Sequence, residues 1–123
     1  PFLCKGVRYE NPILKAEEMV AFLKFDKKCD LIICLSHLGY QYDHEKISDL
    51  VLANSVNGID LIIGGHTHTF LDSPTQVPKT GGQITYVNQV GWAGVKLGVL
   101  DFETTAYQDT TGLSMKSISI SGS

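Results

Sequence analysis

Apolar positions in the first half of the chain follow two alternating periods. After Asn11-Pro12, residues Ile13, Leu14, Ala16, Met19, Val20, Phe22 and Leu23 recur every three or four positions, with Glu17 and Glu18 between them and Lys24, Lys27 and Lys28 following. That spacing predicts an amphipathic helix over 12–28. Asn11 can cap it, Pro12 suits its first position, and the acid-then-base order matches the helix dipole. The run Asp30-Leu31-Ile32-Ile33-Cys34-Leu35-Ser36 is continuous and of strand length, so it predicts a buried strand, closed by His37-Leu38-Gly39. A second helix is predicted over 43–55, with Ile47, Leu50, Val51 and Ala53 on its apolar side and Asn57-Gly58 as its stop. Residues 59–63 form a second apolar strand, which breaks at Gly64-Gly65 and presents His66-Thr67-His68.

Past Phe70 the pattern changes. Residues 72–82, with Pro74, Pro78, Gly81 and Gly82, read as a loop by composition. Strands are predicted over 83–90, 95–102 and 112–120, separated by Gly91-Trp92-Ala93-Gly94 and by 103–111. Their short connections predict antiparallel pairing. The fold class is therefore α/β: helix, strand, helix, strand, then a mostly antiparallel β tail. Parallel strands joined by a helical crossover bring their carboxyl ends to one sheet edge, where ligands bind in open α/β sheets. His37, His66 and His68 are predicted to converge there.

Composition narrows the partners. A chain of 123 residues fits one domain, and 43% hydrophobic with 19% charged residues fits a globular fold. A net charge of −3 without a basic run excludes a nucleic-acid polymer as partner. No apolar stretch is long enough for a membrane span. Cys4, Cys29 and Cys34 have no CxxC spacing and are assigned to packing. The chain opens on Pro1 without a charged n-region or apolar h-region, so no signal peptide is visible, and it is expected to be cut from something longer.

Neutral imidazoles suit a borderline divalent metal. Gly64 and Gly65 remove side-chain bulk on the approach to His66 and His68, and a third histidine closes the preceding strand. Spacing alone leaves open whether these residues ligate a metal or line a polar loop. His44, between Asp43 and Glu45, is explained by a solvated helix start. Trp92 is assigned to the core or a sheet edge, not to substrate stacking.

The segment from Asp30 to Gly39, with its Ser36-His37-Leu38-Gly39, followed by Gly58 to His68, with its Gly64-Gly65-His66-Thr67-His68, resembles the calcineurin-like metallophosphoesterases. Within them it is similar to the 5′-nucleotidase, UDP-sugar hydrolase and cyclic-nucleotide phosphodiesterase branch. Gln89-Val90-Gly91 with Leu97-Gly98-Val99-Leu100-Asp101 resembles that branch's closing strands, and Gly6 to Pro12 its lead-in to a helix. The likeness covers about 6–102, leaving 103–123 as a terminal strand or tail. It implies part of a four-layer α/β/β/α sandwich and a dinuclear centre of zinc, manganese or similar divalent ions. His37 and His66 would ligate one ion and His68 the other, with Gly39, Gly64 and Gly65 shaping the turns. Two such ions activate water and neutralise phosphoryl charge. The implied activity is phosphoester hydrolysis on a nucleotide or other phosphoester, foremost as a 5′-nucleotidase. A UDP-sugar hydrolase or 2′,3′-cyclic-nucleotide phosphodiesterase would share the same residues. The branch is commonly exported to the periplasm or cell surface.

The family also uses Asp-x-His, Gly-Asp and Asn-His-Glu motifs, which normally precede the matched part, and this sequence contains none of them. Charge supports the same conclusion. Two divalent ions bring four positive charges, which neutral imidazoles do not offset, and the nearest carboxylates in sequence, Asp43 and Asp72, lie at no predicted strand end. Residues 1–123 are therefore expected to be the C-terminal portion of a catalytic domain. Alone, the chain is expected to be inactive, to bind two metals weakly, and to self-associate through surface meant for the missing half. The reading from a different class is a non-catalytic binding or structural module with an incomplete site.

Overall fold

A computed structural model describes residues 5–103 and 112–119. Cys4 and the expectations for the first four residues, 104–111 and Ile120 lie outside the described residues.

Helix α1, Pro12–Ala21, starts where the Asn11 side chain accepts a hydrogen bond from the Ile13 amide at 2.9 Å. It runs directly into a π-helical turn, Phe22–Asp26, and the chain then reverses at Lys28, whose φ is 58°. Together these cover nearly all of the helix predicted over 12–28. Strand β1, Ile33–Leu35, is followed by helix α2, Asp49–Ser55, and strand β2, Leu61–Ile63. The remaining strands are β3, Thr75–Pro78, β4, Ile84–Asn88, β5, Lys96–Glu103, and β6, Gly112–Ser119.

The main sheet has the order β1-β2-β4-β3. The β1–β2 and β2–β4 pairs are parallel, and β3 pairs antiparallel with β4. A separate antiparallel pair joins β5 to β6. Cys34, Ile62 and Val87 are in register across three strands and share one sheet face. Ile62 and Val87 are fully buried there with Val20 of α1, Leu52 and Ala53 of α2 and Val56 just after it, and Cys34 packs against this cluster. The next register, Leu35 with Ile63, lies on the opposite face, where both side chains are exposed, Leu35 by 80%. One face of the sheet is thus covered by helices, and part of the other is bare and apolar.

Three expectations change. Residues 75–78 are a strand, not a loop. Val77 is buried against the core, and Pro78 is tolerated because β3 is an edge strand that need not donate there. Strand β4 is not an antiparallel member of a tail: it inserts between β2 and β3 as a parallel neighbour of β2. The buried Thr85 hydroxyl donates to the Ile59 carbonyl at 2.7 Å and fixes that register. Finally, α2 begins at Asp49, six residues later than the periodicity implies. Ser48 caps it through Val51, and the Asp49 and Leu50 amides donate to the Gly39 and Tyr40 carbonyls, so a tertiary contact sets its start.

Candidate metal centre

His37 stands two residues beyond β1 and His66 three residues beyond β2. Because β1 and β2 are parallel neighbours, both histidines emerge at one edge of the sheet. Their rings meet edge to face with centres 5.2 Å apart. Gly65 permits this approach, since a Cβ at that position would lie 3.0 Å from the His37 Nδ1. His68 makes a different contact: its ring stacks on Trp92, with centres 5.7 Å apart and planes 11° apart. Of the three histidines that the sequence groups, His37 and His66 thus have their rings in contact, while the His68 ring contacts Trp92. His66 and His68 both hold positive φ, 76° and 53°. Such backbone conformations in residues other than glycine persist where the surroundings over-determine them, and they concentrate at ligand and active sites.

What over-determines this loop is a buried polar network. Asp49, the first residue of α2, is fully buried, and Gln89, just past β4, is almost so. The Asp49 carboxylate accepts from the Ser36 hydroxyl and from the Gln89 Nε2 at 2.9 Å. Gln89 Nε2 also donates to the Gly65 carbonyl at 2.9 Å, and its Oε1 accepts from the Thr69 amide at 3.1 Å and the Thr67 hydroxyl at 3.2 Å. Thr67 Oγ1 in turn accepts from the Tyr40 amide at 2.9 Å. One carboxylate and one carboxamide thus tie the loop after β1 to the loop after β2. Gly64 is required beneath them, because a Cβ there would overlap the Asp49 carboxylate. Gly39, at φ 94°, is likewise enclosed by Tyr42 and Thr67.

The sequence carried a signal for both network residues. Asp49 lies three and four positions before the buried Leu52 and Ala53, on the helix face turned to the core, and Gln89 follows a strand whose Val87 is fully buried. A buried polar side chain at such positions must find partners. The carboxylates nearest in sequence do not serve the histidines. Asp72 accepts from Lys96 Nζ at 2.7 Å, a bond that holds its carboxyl below the usual range, and Asp43 is exposed. His44 sits on the loop before α2, not on a helix start, with its ring tilted against Tyr42. A cleft of about 520 Å³ opens over Tyr42, His44, Lys46 and Asn54, and none of the other three histidines lines it. Trp92 is exposed beside His68, not in the core. Cys29 and Cys34 pack against the core, and burial first, then the Asp49 charge, push the Cys34 thiol up.

Ring centres 5.2 Å apart suit two imidazoles sharing one ion at a bond length of about 2.1 Å. The donor set on this chain is incomplete: among the described residues, no three His, Cys, Asp or Glu side chains are gathered to hold an ion.

This arrangement has known relatives. No family model matches the chain. It is 36% identical over 97 residues to the trifunctional nucleotide phosphoesterase of Bacillus subtilis, a match covering 79% of this chain and 6% of that protein. It is 29% identical over 116 residues to a 5′-nucleotidase of Vibrio cholerae, covering 80% of this chain and 21% of the relative. In structure it matches a 5′-nucleotidase precursor from Thermus thermophilus, with a TM-score of 0.76 and 28% identity over 90% of this chain and 23% of the other. The chain therefore spans about a fifth or less of the curated relatives' length. The parallel sheet with histidines at its carboxyl edge belongs to the metallophosphoesterase superfamily. Within it, the chain belongs to the branch of the 5′-nucleotidases and nucleotide phosphoesterases, as a C-terminal part.

Proposed function

We propose that the chain supplies one side of a dinuclear metal centre in a phosphoester hydrolase, foremost a 5′-nucleotidase, as the C-terminal portion of its catalytic domain. The observation that carries this is the pair His37 and His66, 5.2 Å apart at the carboxyl ends of paired parallel strands. His37 and His66 hold one ion, and His68 belongs to the other. Bound zinc, manganese or a similar ion supplies a lowered water pKa and neutralises charge on phosphoryl oxygens.

The chain's own residues do the positioning. Gly65 lets His37 close on His66, and Asp49 with Gln89 holds both loops at fixed separation, so the imidazoles are oriented before a ligand arrives. A bridging carboxylate and the groups that polarise the phosphate come from the preceding part of the catalytic domain.

The test is phosphate release by the longer protein from a nucleoside 5′-monophosphate, a UDP-sugar and a 2′,3′-cyclic nucleotide, with divalent metal and with a chelator. Metal-dependent release, greatest with the 5′-monophosphate, supports the proposal; no release from any of the three means a non-catalytic module. The trifunctional relative favours a second outcome, activity on more than one nucleotide ester.

For the 123-residue chain alone, calorimetry with zinc is expected to show no tight two-ion binding, and a phosphatase assay no turnover. Robust turnover would sink the half-centre reading. The bare face at Leu35 and Ile63, together with the edge position of β1 among the described strands, is expected to drive self-association. Sedimentation should show a mass that rises with concentration, reduced by Leu35→Glu; a wild-type monomer at all concentrations would contradict this. We also place the longer protein in the periplasm or at the cell surface, a reading supported by family resemblance and tested by cell fractionation.

A further inference from the structure

Trp92 occupies a position that no packing requirement explains. Its side chain is 60% exposed, yet its ring lies nearly parallel to that of His68. The backbone imposes this pairing. The Gly91 amide donates to the Thr69 carbonyl at 2.9 Å, the Leu71 amide donates to the Gln89 carbonyl at 3.1 Å, and Phe70 bridges Val90 between them. This short antiparallel ladder holds the segment after His68 in register with the segment before Trp92.

The turn itself is built to present the indole. Gly91, Ala93 and Gly94 all hold positive φ, 78°, 57° and 71°. The Phe70 ring fills the space that a Cβ on Gly91 would need. On the far side, Lys96 lies over Phe70 at 5.7 Å and donates to Asp72. Both ends of the turn are thus anchored to the loop that carries His68.

We propose that Trp92 is a positioning residue for His68, its indole fixing the imidazole so that the ring nitrogens are presented edge-on to a divalent ion. The proposal rests on the reading of His68 as a metal ligand. The chemistry is compatible: an imidazole binds metal through in-plane nitrogens, and a face stack leaves that edge free. Offset stacking at this separation is favourable, and it restricts rotation of an exposed side chain before any ligand arrives. The indole does for His68 what a hydrogen-bonding partner does for most metal-bound histidines.

Three variants test this, made in the 123-residue chain for the spectra and in the longer protein for affinity, with cobalt(II) alone as the probe. Because the chain has a single tryptophan, its emission reports on Trp92 only. Cobalt is expected to quench that emission saturably in the wild type and to lose most of this effect in His68→Ala. In proton NMR, the His68 ring protons are expected upfield of their ordinary positions and to return to them in Trp92→Ala. By calorimetry on the longer protein, Trp92→Ala should weaken cobalt binding at one of its two sites about ten-fold, and Trp92→Phe should restore it to within about two-fold. The exposed position of Trp92 means that truncation opens no core cavity, and circular dichroism checks this. Unchanged affinity in Trp92→Ala, with affinity lost in His68→Ala, would overturn the positioning role and leave the ligand role standing. Unchanged affinity in His68→Ala would overturn both.

Discussion

Gln89→Glu is expected to cost the fold about 4 kcal/mol at neutral pH. The substitution is almost isosteric, so packing is preserved and the change is electrostatic. In the wild type, Gln89 Nε2 donates to the Asp49 carboxylate and to the Gly65 carbonyl, both at 2.9 Å, in a site with almost no solvent access. A carboxylate there would turn two donations into acceptor facing acceptor and place a second negative charge beside Asp49. Like charges without water or a cation between them are strongly unfavourable, and the new carboxyl must hold a proton to be accommodated. Its proton affinity is then higher folded than unfolded, so the folded state binds more protons. The variant's stability is therefore retained below the ordinary glutamate value of about 4.3 and lost as pH rises from there toward the raised folded value. Urea denaturation at several pH values measures this: the gap to wild type should widen from pH 4 to pH 8. Gln89→Leu removes the same donations without adding a charge, so its gap to wild type should widen less between pH 4 and pH 8 than that of Gln89→Glu. A Gln89→Glu variant as stable as wild type at pH 8 would refute the network.

His66→Ala in the longer protein is expected to lower phosphoester turnover by at least about a hundred-fold while leaving the fold intact. His66 is exposed, so its removal opens no cavity, and its loop remains held through Thr67, Thr69 and Gly65. The loss should fall on kcat, because the side chain is assigned to the reacting centre and not to general substrate binding. His44→Ala is the matched control. It alters an equally exposed imidazole on the loop before α2 and should leave turnover within about two-fold. Equal losses in the two variants would argue against a special role for His66.

Much of this was legible in the sequence. The amphipathic spacing from Ile13 to Leu23 located α1, and two apolar runs located β1 and β2. Two parallel strands closing on histidines are enough to infer that His37 and His66 meet, and they do. What escaped depends on tertiary contacts. The start of α2 is set by hydrogen bonds to Gly39 and Tyr40, which no local periodicity reports. Strand β3 is masked by Pro74 and Pro78, and only pairing with β4 makes it a strand. His68 and Trp92 are separated by 23 positions that a short ladder folds back on itself, so their stacking has no signature in spacing. Asp49 and Gln89 meet across 40 positions of sequence, so no local pattern names them as members of one buried network.

The proposal that this sheet edge carries one half of a dinuclear centre has a direct readout. Metal content of the longer protein, counted by mass spectrometry after gel filtration in excess zinc, tests it most directly. Two ions per chain are expected in the wild type and at most one in the double variant His37→Ala, His66→Ala. Two ions per chain in that variant would contradict it.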